Sequence, residues 1–213
     1  QLKKVVHNHP LQSLGKTIDI QEFYDYFKGM PVLLMAKMDG LTCSLTYRNG
    51  ELVAAETRGN GLVGEDILHN ARVLSSIPRK IPYTDELIID GEIICTYDDF
   101  QEFSNQYRNP RNFAAGSIRL LDAKECAARK LTFVVWDVIS SIYLEDGVEY
   151  RLDQKLELLR PFGFTIVPFV PLTGQAVNQV NIEHVIDAIR NTAKIHSYPI
   201  DGVEFKFAAC AYG

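Results

Sequence analysis

Residues 32–58 read VLLMAKMDGLTCSLTYRNGELVAAETR, and three β-strands can be laid along them. The first, 32–37, is apolar until Lys37. The second, 41–48, mixes apolar and hydroxyl side chains as a half-buried strand does. Asn49-Gly50 then predicts a two-residue hairpin turn into the third strand, 51–58. Working outward, 86–97, 131–139, 165–170 and 202–207 also read as strands. Helical spacing marks 23–27, 98–107, 113–121, 152–163 and the region of 182–195. Segment 59–67, GNGLVGEDI, reads as a glycine-rich loop entering a short helix whose first turn holds Glu65 and Asp66. Asp90-Gly91 is consistent with a bulge. The expected fold is α+β, mostly antiparallel sheets with helices on their outer faces, and no internal boundary divides it.

At 213 residues, 46% apolar and 23% charged, the chain has the composition of a globular protein with a sizeable core. It contains no apolar run of about 18 residues, and no basic-then-apolar leader opens it. Cys43, Cys95, Cys126 and Cys210 lie far apart and without metal-ligand spacing. They read as reduced thiols of a cytoplasmic protein. The net charge of −5 argues against a nonspecific nucleic-acid coat and leaves room for a local basic face around Arg108, Arg111 and Arg119. A chain that opens on Gln1 reads as processed or as a fragment.

Chemistry is concentrated at a few positions. Lys37 ends an apolar strand, where desolvation favours the neutral, nucleophilic amine. Asp39 follows on the same face of an extended chain, able to orient that amine or hold a metal through water. Such a pair suits covalent catalysis by lysine, as an imine or as a phosphoramidate, and equally suits a strand-end lysine before an Asp-Gly turn. Arg58 stands before a glycine-rich loop, where a guanidinium and free N–H groups can face a phosphate. Glu92 lies between isoleucines and needs a cation, a metal or a hydroxyl as partner. Arg111 and Arg119 are eight residues apart, expected on one side of a helix across small residues Ala114, Ala115 and Gly116. Lys206 sits in a strand after Asp201-Gly202, suited to neutralising phosphate charge.

Together, HNHPLQSLGKT, AKMDGLTCSLTY, ETRGNGLVGEDI, DGEI, NPRNFAAGSIRLLD, LTFVVWDV and IDGVEFK resemble, in order and spacing, the adenylation (nucleotidyltransferase) domain of NAD-dependent DNA ligases. The resemblance runs almost end to end. It implies an ATP-grasp-like nucleotidyltransferase fold and an enzyme whose Lys37 attacks NAD to form lysyl-AMP. AMP would then pass to the 5′-phosphate of nicked double-stranded DNA. It further implies that Asp39 and Glu92 place Mg2+ and its waters, and that Arg58, Glu92 and Lys206 contact ribose and phosphate. Ser13, Leu14, Met35 and Trp136 would line the adenine nucleotide pocket, and Arg111 and Arg119 would grip the DNA strand. The family habit is a monomer.

The chain departs from that family in places. Two positions before the lysine the family has a glutamate for the adenine amino group; here the residue is Met35. Trp136 replaces a customary tyrosine and keeps a stacking surface. The nicotinamide-binding region and the OB-fold, zinc, helix-hairpin-helix and BRCT modules are expected to lie outside residues 1–213. A core without them is expected to bind adenine nucleotide and seal nicks poorly. Two other readings stay open: an ATP-dependent polynucleotide ligase core, and a catalytically silent nucleotide- or DNA-binding remnant.

Overall fold

The computed structural model describes residues 4–6, 30–59, 61–172 and 182–208; the expected helix at 23–27 lies outside them. Ten strands run in chain order: β1 (Lys4–Val6), β2 (Val32–Met38), β3 (Leu41–Arg48), β4 (Glu51–Thr57), β5 (Val63–Glu65), β6 (Leu87–Ile94), β7 (Thr132–Val138), β8 (Thr165–Ile166), β9 (Phe169–Leu172) and β10 (Ile200–Phe207). The α-helices are α1 (Leu68–Ala71), α2 (Tyr97–Phe100), α3 (Pro110–Ser117), α4 (Ala123–Ala127), α5 (Leu152–Leu159) and α6 (Ile182–Ile195).

The strands form a five-stranded sheet, β4-β3-β6-β7-β8, a three-stranded sheet, β10-β2-β9, and the small pair β1-β5. Every pairing is antiparallel except β7 with β8. The fold is therefore α+β with mainly antiparallel sheets. Strand β6 lies between β3 and β7 and is buried almost along its length, which is why it reads as a continuous apolar run. Helix α3 packs against β6 and β3, α5 against β7, and α6 against β2 and β10. Helix α6 turns Ile182, Ile189 and Ala193 inward at helical spacing. Full burial of one such isoleucine contributes roughly 1.5–3 kcal/mol.

The hairpin β3–β4 turns at Asn49 and Gly50, with φ of 50° and 77°, as the Asn-Gly pair predicts. A register shift against β7 falls at Asp90-Gly91, so that pair forms a bulge. Four local expectations are corrected. Glu65 is on β5, paired with β1, and the short helix starts only at Leu68. Helix α3 starts at Pro110, because the Asn109 side chain accepts from the Asn112 N–H at 2.8 Å and caps it. It ends at Ser117, so Arg119 lies beyond it. The expected helix at 98–107 is one α-turn, α2, followed by a 3-10 turn at Gln101–Phe103.

The expected strand 165–170 is also split: β8 belongs to the five-stranded sheet and β9 to the three-stranded one. The break is Val167-Pro168. The Val167 N–H donates to the Val135 carbonyl and the Pro168 carbonyl accepts from the Ala36 N–H, both at 2.9 Å. Proline has no N–H to continue a ladder, which suits it to the crossing. The only other direct strand-to-strand crossing between these two sheets among the described residues is Asp39-Gly40, between β2 and β3. There the chain runs very close to β6, since a Cβ on Gly40 would stand 2.0 Å from the Ile93 carbonyl oxygen.

Candidate active site

Lys37 is the penultimate residue of β2, beside the Asp39-Gly40 crossing. Its pairing with β10 is irregular there: Met38 pairs with Ile200 and Ala36 with Val203, so Lys37 faces two residues, Asp201 and Gly202. This bulge re-aims Asp201 toward the lysine. Nζ of Lys37 lies 3.9 Å from Oδ2 of Asp201 and 3.9 Å from Oε1 of Glu204. Neither distance is a hydrogen bond, and the side chain is 38% exposed. Lys37 is thus held between two carboxylates with its amine accessible.

Glu92 approaches from β6 of the other sheet. Its Oε2 accepts from the Thr42 hydroxyl at 3.1 Å and from the Trp136 indole N–H at 3.2 Å. Burial pushes its carboxyl up to about 7, against these two hydrogen bonds and the Arg111 charge; the Asp39 charge adds to the rise. Asp39 in turn lies 3.7 Å, Oδ1 to Nε, from Arg111 on α3. The first turn of that helix therefore projects one arginine onto the Lys37–Glu92 junction.

Lys206 of β10 closes the group. Its Nζ lies 4.2 Å from the centroid of the Trp136 ring and 3.6 Å from Oδ2 of Asp137, so the faces of the two sheets meet there. Met35 is fully buried on β2, paired with Phe169 on one side and Glu204 on the other. Arg58 follows β4 directly; its N–H donates to the Thr42 carbonyl at 2.9 Å, which ties the Arg58 turn to the strand carrying a Glu92 partner. Arg119 stands apart from this group. Its Nε donates to Oε2 of Glu65 at 2.7 Å and its Nη1 to the Ala115 carbonyl at 3.2 Å. Ser13 and Leu14 lie outside the described residues.

Sequence reasoning passed over Thr42, Asp137, Asp201 and Glu204 as members of this cluster. Asp201 carried a signal, an Asp-Gly repeated from Asp39-Gly40. Glu204 carried none beyond strand alternation, because its neighbours are set by β10 lying beside β2.

The two carboxylates of Asp39 and Glu92 fit a hard divalent cation. They are near enough for one charge to raise the other's titration, and burial leaves Glu92 in want of a positive partner. Among the described residues no group of three or more metal-ligating side chains is found. Such a donor set suits an ion held largely through water and substrate oxygens.

The model of the family described as the NAD-dependent DNA ligase adenylation domain matches residues 1–212. This chain belongs to that family. Among curated relatives of this adenylation domain, a DNA ligase of Lachnoclostridium phytofermentans is 34% identical over 221 residues, covering 100% of this chain and 33% of that protein. A DNA ligase of Ruminiclostridium cellulolyticum is 34% identical over 219 residues, covering 100% and 32%. A DNA ligase of Clostridioides difficile is 34% identical over 225 residues, covering 97% and 32%. The adenylation domain thus spans about a third of these relatives' length. A solved structure named Pmar-Lig_Pre matches with a TM-score of 0.50 and 12% identity over 87% of this chain and 40% of its own, a likeness of fold.

Proposed function

We propose that this chain is the adenylation core of a DNA ligase that takes AMP from NAD and seals nicks in double-stranded DNA. The observation that carries the reading is the meeting of Lys37, Asp39, Glu92, Lys206 and Trp136 at one junction of two sheets. In this reading Lys37, having lost its proton to water, attacks the α-phosphorus of the dinucleotide substrate. A bond forms from Nζ to phosphorus, the bond from phosphorus to the bridging oxygen breaks, and nicotinamide mononucleotide leaves with the electron pair. The 5′-phosphate of the nick then displaces Lys37 from the AMP, and the 3′-hydroxyl displaces AMP in turn.

Such transfers depend on positioning and charge neutralisation more than on new covalent chemistry. Lys206 and Arg58 offset phosphate charge, and Trp136 gives the bound nucleotide a wall. Asp39 and Glu92 would hold Mg2+, which when bound offsets negative charge at the α-phosphate. Arg111 and Arg119 would meet the phosphates of the nicked strand, a sequence-blind and salt-dependent contact. The buried free thiols of Cys43, Cys95 and Cys126 suit a reducing compartment, the cytoplasm, and a monomer is the simplest assembly. Among the described residues, no helix is long and apolar enough to cross a membrane.

Intact-mass measurement tests the reading, after incubation with magnesium plus NAD or magnesium plus ATP. The expected result is a gain of one AMP with NAD, none with ATP, and none in Lys37→Ala. A gain with ATP alone overturns the donor. A gain that survives Lys37→Ala overturns the nucleophile, and no gain with either nucleotide, persisting when the nicotinamide-binding region is added in trans, overturns the reading for this chain.

A further inference from the structure

Glu204 is a charged side chain in an unusual position. Antiparallel pairing sets it directly opposite Met35, so it stands on the same face of the sheet as Met35, Lys37 and Lys206. It is 8% exposed, both carboxylate oxygens are buried, and neither accepts a hydrogen bond among the described residues. Lys37 is the near cation, at 3.9 Å, outside hydrogen-bond range, with the Lys206 charge also felt. A buried acceptor left unmade costs free energy, and a structural counter-ion would close to contact with its lysine. Glu204 has both oxygens unmade and its lysine short of contact. It lies directly across from Met35, the position at which the family carries a glutamate and this chain an apolar methionine.

An adenine nucleotide whose phosphate meets Lys37 brings its base within reach of this face. The adenine edge carries a 6-amino donor. The same position in hypoxanthine is an oxo group, an acceptor that a carboxylate repels. We propose that Glu204 reads the 6-amino group of adenine in this chain, the acceptor having moved from β2 to the neighbouring position on β10. The inference rests on the nucleotide-binding reading above and names the residue that gives that site its base preference. Lys37 is the partly exposed cover at 3.9 Å, and turning its Nζ toward phosphate uncovers the carboxylate oxygen nearest to it.

The test compares binding of AMP and IMP, which differ at the 6-position, by titration calorimetry on this chain and on Glu204→Val, Glu204→Gln and the double variant Met35→Glu/Glu204→Val. Melting temperatures check that each variant is folded. The parent is expected to bind AMP about 10- to 100-fold more tightly than IMP, the span of a hydrogen bond to a charged acceptor. Glu204→Val should bind both within about threefold, because valine offers neither acceptor nor repulsion. Glu204→Gln, nearly isosteric, should also lose most of the preference, since its amide can turn an NH2 toward the oxo group. The double variant should regain the preference for AMP from the β2 side.

A Glu204→Val chain that still prefers AMP, or one that loses AMP and IMP equally, overturns the inference and leaves the nucleotide-binding reading standing. The second of these results would make Glu204 a counter-ion for the lysines. A double variant with no preference overturns the equivalence of the two strand positions. A folded parent that binds neither nucleotide overturns the underlying reading, and this inference falls with it.

Discussion

Glu92 couples protonation to folding, because its carboxyl titrates at about 7 in the native chain against an ordinary value of 4.5. Between those values the native state holds a proton that the unfolded chain has released, so stability falls as pH rises. The cost is absent below about pH 4.5 and complete above about pH 7, and its size is about 3 kcal/mol as an order of magnitude. Glu92→Gln keeps an oxygen for Thr42 and Trp136 and never ionises. That variant is therefore expected to melt above the parent at pH 8 and close to it at pH 4.5, while forming less AMP adduct. Magnesium should raise the parent's melting temperature at pH 8 and leave the variant's nearly unchanged, since only the carboxylate gains an ion. Thermal scans across this range decide it: parallel curves for the two chains would mean that the Glu92 charge is already compensated within the protein. Glu92 and Lys37 were both legible in the sequence, as charges set within apolar strands. Glu204 was not, because GVEFKF says which way a side chain alternates and nothing about which strand will lie beside it.

Helix α3 departs most from its sequence pattern. Asn109-Pro110 is a cap and a first-turn proline, so the helix begins seven residues before Ser117 and not at residue 113. That shift sends the two arginines to different duties. Arg111, 63% exposed in the first turn, contributes positive charge beside Asp39 and Glu92. Arg111→Ala should therefore push the Glu92 titration further up, visible as a loss of stability that starts near the same pH as in the parent and continues to higher pH. Arg119, past the helix end, pairs with Glu65 on β5 at the surface. Arg119→Ala should cost at most about 1 kcal/mol in denaturant unfolding. It should weaken binding to nicked DNA in gel shift and leave the AMP adduct intact; loss of the adduct would move the DNA face elsewhere. Gly116 supplies a control on the same helix. A Cβ there meets nothing within 4 Å, so Gly116→Ala should stabilise the chain by about 0.5–1 kcal/mol. If that variant forms adduct normally and binds nicked DNA more weakly than the parent in gel shift, the bare helix surface is where nucleic acid comes close.

At the scale of the whole molecule, the candidate site exists because two sheets meet, and the alternation of residues along each strand could not say how they would meet. Lys37, Glu204 and Lys206 come from the three-stranded sheet; Thr42, Glu92 and Trp136 come from the five-stranded one. Both Val167-Pro168 and Asp39-Gly40 lead the chain across, and only the second lies between the lysine and its neighbours on the other sheet. The distance from Lys37 to Glu92 is thus governed by how closely the chain at residue 40 can approach β6. A methyl group on Gly40 would overlap a backbone carbonyl at 2.0 Å, and backbone cannot swing aside as a side-chain tip does. Gly40→Ala must separate β2–β3 from β6 by more than an ångström, at a cost of roughly 1–3 kcal/mol or more. The expected outcome is a lower unfolding midpoint in urea together with slower adduct formation at temperatures where the variant is still folded, although no side chain of the cluster has been touched. Nucleotide affinity should fall less than the rate of adduct formation, since binding to one sheet survives while alignment of Lys37, the proposed nucleophile, with the other is lost. A folded Gly40→Ala chain that reacts at the parent's rate would mean that the two sheets reach their working separation only around bound substrate, and that this crossing does not set it.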